Sequence, residues 1–190
     1  MNSIKWTEDV QLPDGRVVTL SRYEEFGGRY EPGQSPTSSA SGFEFDHPDT
    51  KERIRYQGSH YFSTVALFIH DRATHLVLTY YLGGKGSDDG CPQPPYVFTK
   101  YVSGGWQRVA FKDSPIKALT QNMISGAKGK ERAIASLSGK LSVTDVRRVG
   151  MPLDGPRRID ISGLDGPRLA CPERLNLQRY ETPLGKKGPK

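Results

Sequence analysis

Histidines are the side chains in this sequence best suited to acid–base or metal chemistry. They stand at 47, 60, 70 and 75, and none forms an HxH or HExxH motif. His70-Asp71 and His75 flank one predicted turn, so two imidazoles and a carboxylate are expected near one end of a hairpin. Such a set can hold a divalent metal, although residues at strand ends are more often satisfied by backbone groups. The sequence predicts no metal site, and His70, Asp71 and His75 are the candidate ligands if one exists.

Other catalytic patterns are weak or absent. The carboxylate pairs Glu8-Asp9 and Glu24-Glu25 are adjacent on predicted strands, so the members of each pair point to opposite faces. No G-x-S-x-G motif occurs, and the glycine-rich run at 83–87 lacks phosphate-loop spacing. We therefore predict no cofactor and favour a protein that is not an enzyme. A combination of more distant carboxylates, or a hydrolase site near the His70/His75 turn, is the alternative.

Two cysteines, Cys91 and Cys171, leave two interpretations open. They are free thiols in a reducing cytosol, or a disulfide that ties the C-terminal arm to a hairpin in an oxidising compartment such as the periplasm. The opening MNSIKWTEDV has no apolar signal region, which favours the cytoplasm. No apolar run approaches the ~20 residues of a membrane-spanning helix, so no membrane span is predicted.

Positive charge is concentrated late in the chain. Residues 1–113 carry a net charge of −2 and residues 114–190 a net charge of +8. A solvated basic face is the usual explanation, but spaced cations on an arm can also neutralise phosphates. The candidate nucleic-acid contacts are Arg147, Arg148, Arg157, Arg158, Arg168, Arg174, Arg179, Lys186 and Lys187.

The elements that must position these residues are mostly short strands. Tyr96 to Val102 and Trp106 to Phe111 are rich in β-branched and aromatic residues around Ser103-Gly104-Gly105. A two-residue Ser103-Gly104 turn would place Tyr101 opposite Trp106, Phe98 opposite Val109 and Tyr96 opposite Phe111.

Similar patterns run through residues 1–112. Hairpins are predicted at Ile4 to Leu12 with Arg16 to Tyr23, and at Ser63 to Asp71 with His75 to Leu82. Short strands at Gly42 to Asp46 and Arg53 to Gln57 bring the count to about eight, whereas Glu24 to Ser41 is predicted to be a long loop. The nearly continuous apolar character of 63–71 and 75–82 indicates central strands that are buried on both faces.

The pattern changes after Phe111. Helical spacing of Ile116, Leu119, Met123 and Ile124, with Asp113 or Ser114 as a cap, predicts one helix, and 130–137 predicts a second. Arg158 to Ser162 is expected to add an edge strand. The fold class is thus mainly β (a β-sandwich, a small barrel or a twisted antiparallel sheet) with one or two short C-terminal helices. The predicted division is a β-rich body at 1–112, a helical and irregular basic segment packed on it at 113–181, and a disordered tail at 182–190.

Two stretches carry a family resemblance. WTEDVQLPDGRVVTLSRYEEF and CPQPPYVFTKYVSGGWQRV resemble a set of small proteobacterial proteins of unknown function that share this opening and a Pro-Pro-Tyr aromatic hairpin. The resemblance implies a bacterial domain and no particular activity. We expect a non-catalytic binding protein with a protein partner, as an immunity or accessory partner would be. Nucleic-acid binding through the basic C-terminal part is the first alternative, and the hydrolase is the second.

Overall fold

A computed structural model describes residues 3–27, 37–59, 62–80, 96–110, 113–115, 118–150 and 158–160. Within these ranges the chain forms eight successive antiparallel strands, followed by three very short strands and two short helices. The mainly β prediction is confirmed. None of the helices in the described part of the chain is long and apolar enough to span a membrane.

The first sheet has five strands in the order β10-β1-β2-β3-β4. These are β1 (Ser3–Gln11), β2 (Val17–Gly27), β3 (Thr37–Asp46), β4 (Arg53–Ser59) and β10 (Lys140–Leu141). The predicted turn joins β1 to β2, and Gly15 adopts the positive φ of 87° that favours glycine. Strand β10 pairs in parallel with β1, so the C-terminal part of the chain contributes to this sheet.

The predicted loop from Glu24 to Ser41 is wrong at both ends. Strand β2 continues to Gly27 and β3 begins at Thr37, while residues 28–36 lie outside the described ranges. The polar, serine-rich composition of this stretch hid the strands. The start of β3 is extended because its backbone groups pair with β2 and, from Ala40 onward, also with β4.

The second sheet has four strands in the order β5-β6-β7-β8. They are β5 (Phe62–His70), β6 (Ala73–Tyr80), β7 (Tyr96–Val102) and β8 (Gly105–Arg108). Residues of both parities are buried along β5 and β6, as predicted. The predicted two-residue turn is also confirmed, because Tyr101 pairs with Trp106 and both Ser103 and Gly104 have positive φ. The partner predicted for Tyr96, Phe111, lies outside the described residues.

The inward faces of the two sheets pack on each other around one apolar core. It contains Val10, Leu20, Phe43, Phe45, Ile54, Tyr56, Leu67, Leu76, Val97 and Met123. A second cluster covers the other end of β1, where Ile4 and Trp6 pack against Ile124, Ala127, Ile134, Leu141 and Val146. Both clusters therefore include residues from beyond position 113.

The helix predicted from Ser114 to Ile124 is wrong. Ala118–Thr120 forms β9, which pairs antiparallel with β11 (Arg158–Asp160), and residues 121–127 are irregular. The amide of Asn122 donates to the backbone oxygens of Gln11 and Leu67 and accepts from the Leu67 amide. These bonds join β5 to the end of β1, beyond the part of β1 that pairs with β10. The Met123 amide also donates to the Val65 carbonyl oxygen, a bond that replaces the one it would make within a helix.

Helix α1 (Glu131–Ser136) lies where the second helix was predicted. Helix α2 (Val143–Gly150) was not predicted. Its sequence signal is a capping box, since Ser142 accepts from the Asp145 amide while Asp145 accepts from Ser142. The predicted edge strand near 158–162 corresponds to β11.

Candidate functional site

A cleft of about 920 Å³ is lined by β1 to β4 of the first sheet and by residues at the β7–β8 turn. We call it the aromatic cleft. Its aromatic lining consists of Tyr23, Phe43, Tyr56, Tyr101 and Trp106. Its charged lining includes Lys5, Glu44, Arg53 and Arg55. Strand register places Lys5, Tyr23, Gly42 and Gln57 in one row across β1 to β4.

Tyr23 covers β3 in this row because its neighbour is a glycine. A Cβ atom at Gly42 would lie 2.6 Å from Tyr23 Cε1 and 2.5 Å from the Tyr56 carbonyl oxygen. The absence of a side chain at Gly42 therefore lets the Tyr23 ring lie against the neighbouring strand, as aromatic residues do beside glycines in sheets. Burial is the main cause that raises the pKa of the Tyr23 phenol, and Glu25 adds to it. The hydroxyl is thus protonated at neutral pH and can donate.

Trp106 closes one side of the cleft. Its indole Nε1 donates to the Arg55 carbonyl oxygen over 2.7 Å, which joins β8 of the second sheet to the edge of β4. The ring meets Tyr56 and Tyr101 edge-on, with centroids 5.9 and 5.4 Å apart. Such T-shaped contacts fix the ring orientation and contribute about 1 kcal/mol each. This wall is rigid because it is part of the contact between the two sheets.

The charged side chains of the cleft form a connected set of ion pairs, in which some of the nitrogen donors have no acceptor in the described ranges. Arg53 binds Glu44 at 2.7 Å and Asp46 at 3.1 Å, and Arg55 Nε reaches Glu44 at 3.2 Å. The Arg53 hydrogen bond is the main cause that lowers the pKa of Glu44. Both Glu44 oxygens are therefore occupied, whereas Lys5 and the terminal nitrogens of Arg55 have no partner within the described ranges.

The structure brings His70, Asp71 and His75 to the lining of one cavity of about 420 Å³. His70 Nε2 lies 3.3 Å from Asp71, on the exposed end of the β5–β6 hairpin. His75 is buried, stacks on Phe68 with centroids 4.7 Å apart, and pairs across the ladder with Lys100. Burial first, then the cations Lys100 and His70, lower the pKa of His75 to about 4. No group of three or more His, Cys, Asp or Glu side chains in the described ranges is placed to hold a metal ion.

Most of the other candidates fall outside the described residues. Arg147 and Arg148 lie on α2, where Arg147 donates to Gln11 and Arg148 pairs with Asp145. Arg158 lies in β11, without a described side chain. The remaining basic candidates (Arg157, Arg168, Arg174, Arg179, Lys186 and Lys187), both cysteines and the 182–190 tail lie outside the described residues. Their predictions stay predictions.

A buried ionic network was missed by sequence reasoning. Glu8, Arg22 and Glu24 are at most 3% exposed, and Arg22 binds Glu8 at 2.6 Å. Trp6 Nε1 donates to Glu8, and the Ala127 amide donates to Glu24. The sequence did contain a sign of this network, because Glu8 alternates along β1 with Trp6 and Val10 and therefore faces the core with them. Polar residues at core parity in a strand indicate a satisfied network or a functional group.

These arrangements differ in what they can do chemically. The buried carboxylates are engaged by donors and sit away from solvent, which suits a structural role. The aromatic cleft exposes phenol, guanidinium and ammonium donors on rigid strands, which suits recognition of another molecule.

No family model, curated protein or solved structure matches this chain. The resemblance to small proteobacterial proteins stays a prediction.

Proposed function

We propose that the chain is a non-catalytic interaction protein that binds a protein partner in the aromatic cleft. The observation that carries this proposal is the composition of the cleft, which is lined by one Trp, three Tyr and three Arg side chains, with Arg22 engaged by Glu8. Trp, Tyr and Arg are the residues that dominate binding energy at protein interfaces. Rigid strands and the Trp106–Arg55 bond hold these side chains in place before binding, which lowers the entropic cost of association.

A binding role also fits the way acidic and imidazole groups are engaged. Glu8, Glu24 and Glu44 all accept from Arg, Trp or backbone donors. The imidazole of His75 faces Lys100 across the ladder, and no carboxylate contributes to its pKa shift. A general base requires an unengaged group within reach of a substrate proton, and these three carboxylates are not free in that sense.

As a class, we propose an accessory or immunity-type partner of another protein, bacterial by the resemblance of its opening and aromatic hairpin. The nucleic-acid and hydrolase alternatives stay predictions from the sequence. Arg147 and Arg148 are engaged with Gln11 and Asp145, which leaves the nucleic-acid alternative without support from these two residues.

Site-directed photo-crosslinking in cells of the native host tests the proposal. A photoreactive residue replaces Gln57, which lines the cleft, or Val17, which is exposed on β2 away from it. We expect one discrete crosslinked protein from position 57 and none from position 17. Equal yields of the same product at both positions, or no product at position 57, would contradict a partner in the cleft.

A further inference from the structure

We infer that the partner enters the aromatic cleft with an acidic segment, whose carboxylates bind Lys5 and Arg55. This inference rests on the proposed function and deepens it. Charge complementarity supports it. The side chains that line the cleft include Lys5, Arg53 and Arg55 against Glu44, with Arg22 compensated internally by Glu8.

Arg55 is the first anchor. Its side chain is 75% exposed and contacts Glu44 only through Nε. Its two terminal nitrogens have no partner within the described ranges, and they are donors in the fork geometry that binds a carboxylate bidentately. Glu44 cannot take them up, because its other oxygen already accepts from Arg53.

Lys5 is the second anchor, on the far side of the Tyr23 ring. It is exposed on β1, directly opposite Tyr23 in the β1–β2 ladder, and has no ion-pair partner within the described ranges. Three strand spacings and one diagonal step separate Lys5 from Arg55, which is roughly 15 Å. An extended segment covers that distance in about five residues. The two carboxylates are therefore expected about four positions apart.

Tyr23 defines what lies between the two carboxylates. Its ring lies between Lys5 on β1 and Arg55 on β4 and provides apolar surface, so an apolar side chain of the segment would pack there and exclude water. Exclusion of water strengthens the two charge pairs at the ends. The neutral phenol of Tyr23 adds a donor without adding charge.

The test measures binding of a fluorescein-labelled hexaglutamate peptide to the full chain by anisotropy at low salt. The cleft variant carries Lys5→Gln and Arg55→Gln. The matched control carries Lys128→Gln and Arg132→Gln, two exposed cations outside the cleft that remove the same charge. We expect at least a tenfold weaker Kd for the cleft variant and less than a threefold change for the control. Equal weakening in both variants, or no saturable binding to the wild type, would overturn the inference.

A gain-of-charge variant keeps the test independent of folding defects. Gln57→Lys adds a donor in the same row as Lys5 and Tyr23, and we expect a Kd at least twofold tighter for hexaglutamate. A decamer of thymidylate is the competing probe. If Lys5→Gln/Arg55→Gln weakens this oligonucleotide more than hexaglutamate, the cleft binds nucleic acid and the inference is wrong.

The two proposals fail separately. Loss of the crosslink from position 57 contradicts the proposed function. A crosslink that persists at full yield in the Lys5→Gln/Arg55→Gln background leaves a partner in the cleft but contradicts an acidic segment.

Discussion

At the scale of single residues, the core-facing side of the first sheet is unusual because it carries charged side chains. Arg22 is 3% exposed and donates to Glu8, to the Ile124 carbonyl at 2.6 Å and to Thr64 at 2.8 Å. Its guanidinium also lies 4.9 Å from the Trp6 ring centroid. One side chain thus links β1, β2, β5 and the irregular segment at 121–127. A buried pair of this kind stabilises little against an apolar replacement, but it is costly to break from one side.

Replacing Arg22 alone should therefore be severe. Arg22→Met leaves Glu8 buried without its cation, and we expect the free energy of unfolding to fall by about 3–5 kcal/mol. The double variant Glu8→Gln/Arg22→Met removes the uncompensated charge and should recover at least 1 kcal/mol of that loss. Urea denaturation of the three proteins measures this cycle. A double variant less stable than Arg22→Met would show that the Glu8 charge is not the cause.

His75 makes stability depend on pH. Its pKa is lowered to about 4 in the folded protein by burial first and then by Lys100 and His70, against 6.5 for a free imidazole. The folded state therefore disfavours the protonated form. This contribution to stability is fully present above pH 6.5 and is lost as the pH falls from 6.5 towards 4.

We expect the His75→Phe variant to lose less stability on acidification than the wild type. Between pH 7.5 and pH 4.5 the two proteins should differ in their loss of unfolding free energy by about 2–3 kcal/mol, since each of the roughly two pH units below 6.5 contributes on the order of 1.4 kcal/mol. Phenylalanine keeps the stacking on Phe68, so packing is preserved. If the unfolding free energies of the two proteins change with pH by the same amount, His75 is not the titrating group.

At the scale of elements, the β7–β8 hairpin and the pairing of β2 with β3 decide where the cleft lies. The β7–β8 turn brings Trp106 to the edge of β4, and the pairing of β2 with β3 sets Tyr23 beside Gly42.

Two segments show why sequence patterns failed to predict their structure. The polar start of β3 has no recognisable strand pattern, because its backbone hydrogen bonds are made to a neighbouring strand and do not depend on its own side chains. For the segment at 121–127 the sequence pattern predicted a helix that does not form. Its helical spacing is real, but Asn122 and Met123 bind strand backbones instead.

Gly42→Ala tests how β3 supports the cleft. The new Cβ would meet the Tyr56 carbonyl oxygen and the Tyr23 ring at 2.5 and 2.6 Å, so strand spacing and the ring must both shift. We expect a loss of about 1–3 kcal/mol in unfolding free energy and at least a fivefold loss of hexaglutamate binding. Gly27→Ala on β2 is the control, since its nearest neighbour would be Ser39 at an ordinary 3.7 Å. If both variants behave alike, the close contact at Gly42 has no consequence.

At the scale of the whole molecule, the strands of the first 112 residues are not packed by themselves. Met123 belongs to the main core, and Trp6 and Ile4 are covered by Ile124, Ile134 and Val146. Asn122 joins the edges of the two sheets, and β10 extends the first sheet. The late segment therefore completes the body that the early strands begin.

We expect a fragment of residues 1–112 to lack cooperative unfolding, whereas residues 1–150 unfold in one sharp transition. The shorter fragment lacks the residues of the second cluster that cover Ile4 and Trp6, and Arg22 loses the Ile124 carbonyl oxygen as an acceptor. Thermal denaturation followed by circular dichroism distinguishes the two outcomes. A sharp transition in the 1–112 fragment at the temperature of the longer one would show that the early strands suffice.

Patterns along the chain predicted the short-range structure. Turn residues and alternating apolar positions predicted the hairpins, the Ser103-Gly104 register and the buried character of β5 and β6, because neighbouring residues largely set these features. Long-range contacts set which strands meet across the sheets and made the 121–127 segment a bridge between them. They also placed Lys5, Tyr23, Arg55 and Trp106 around one cleft and brought Arg22 to Glu8. Those contacts join residues distant in the chain, and their energies depend on burial and on partners that no local pattern encodes.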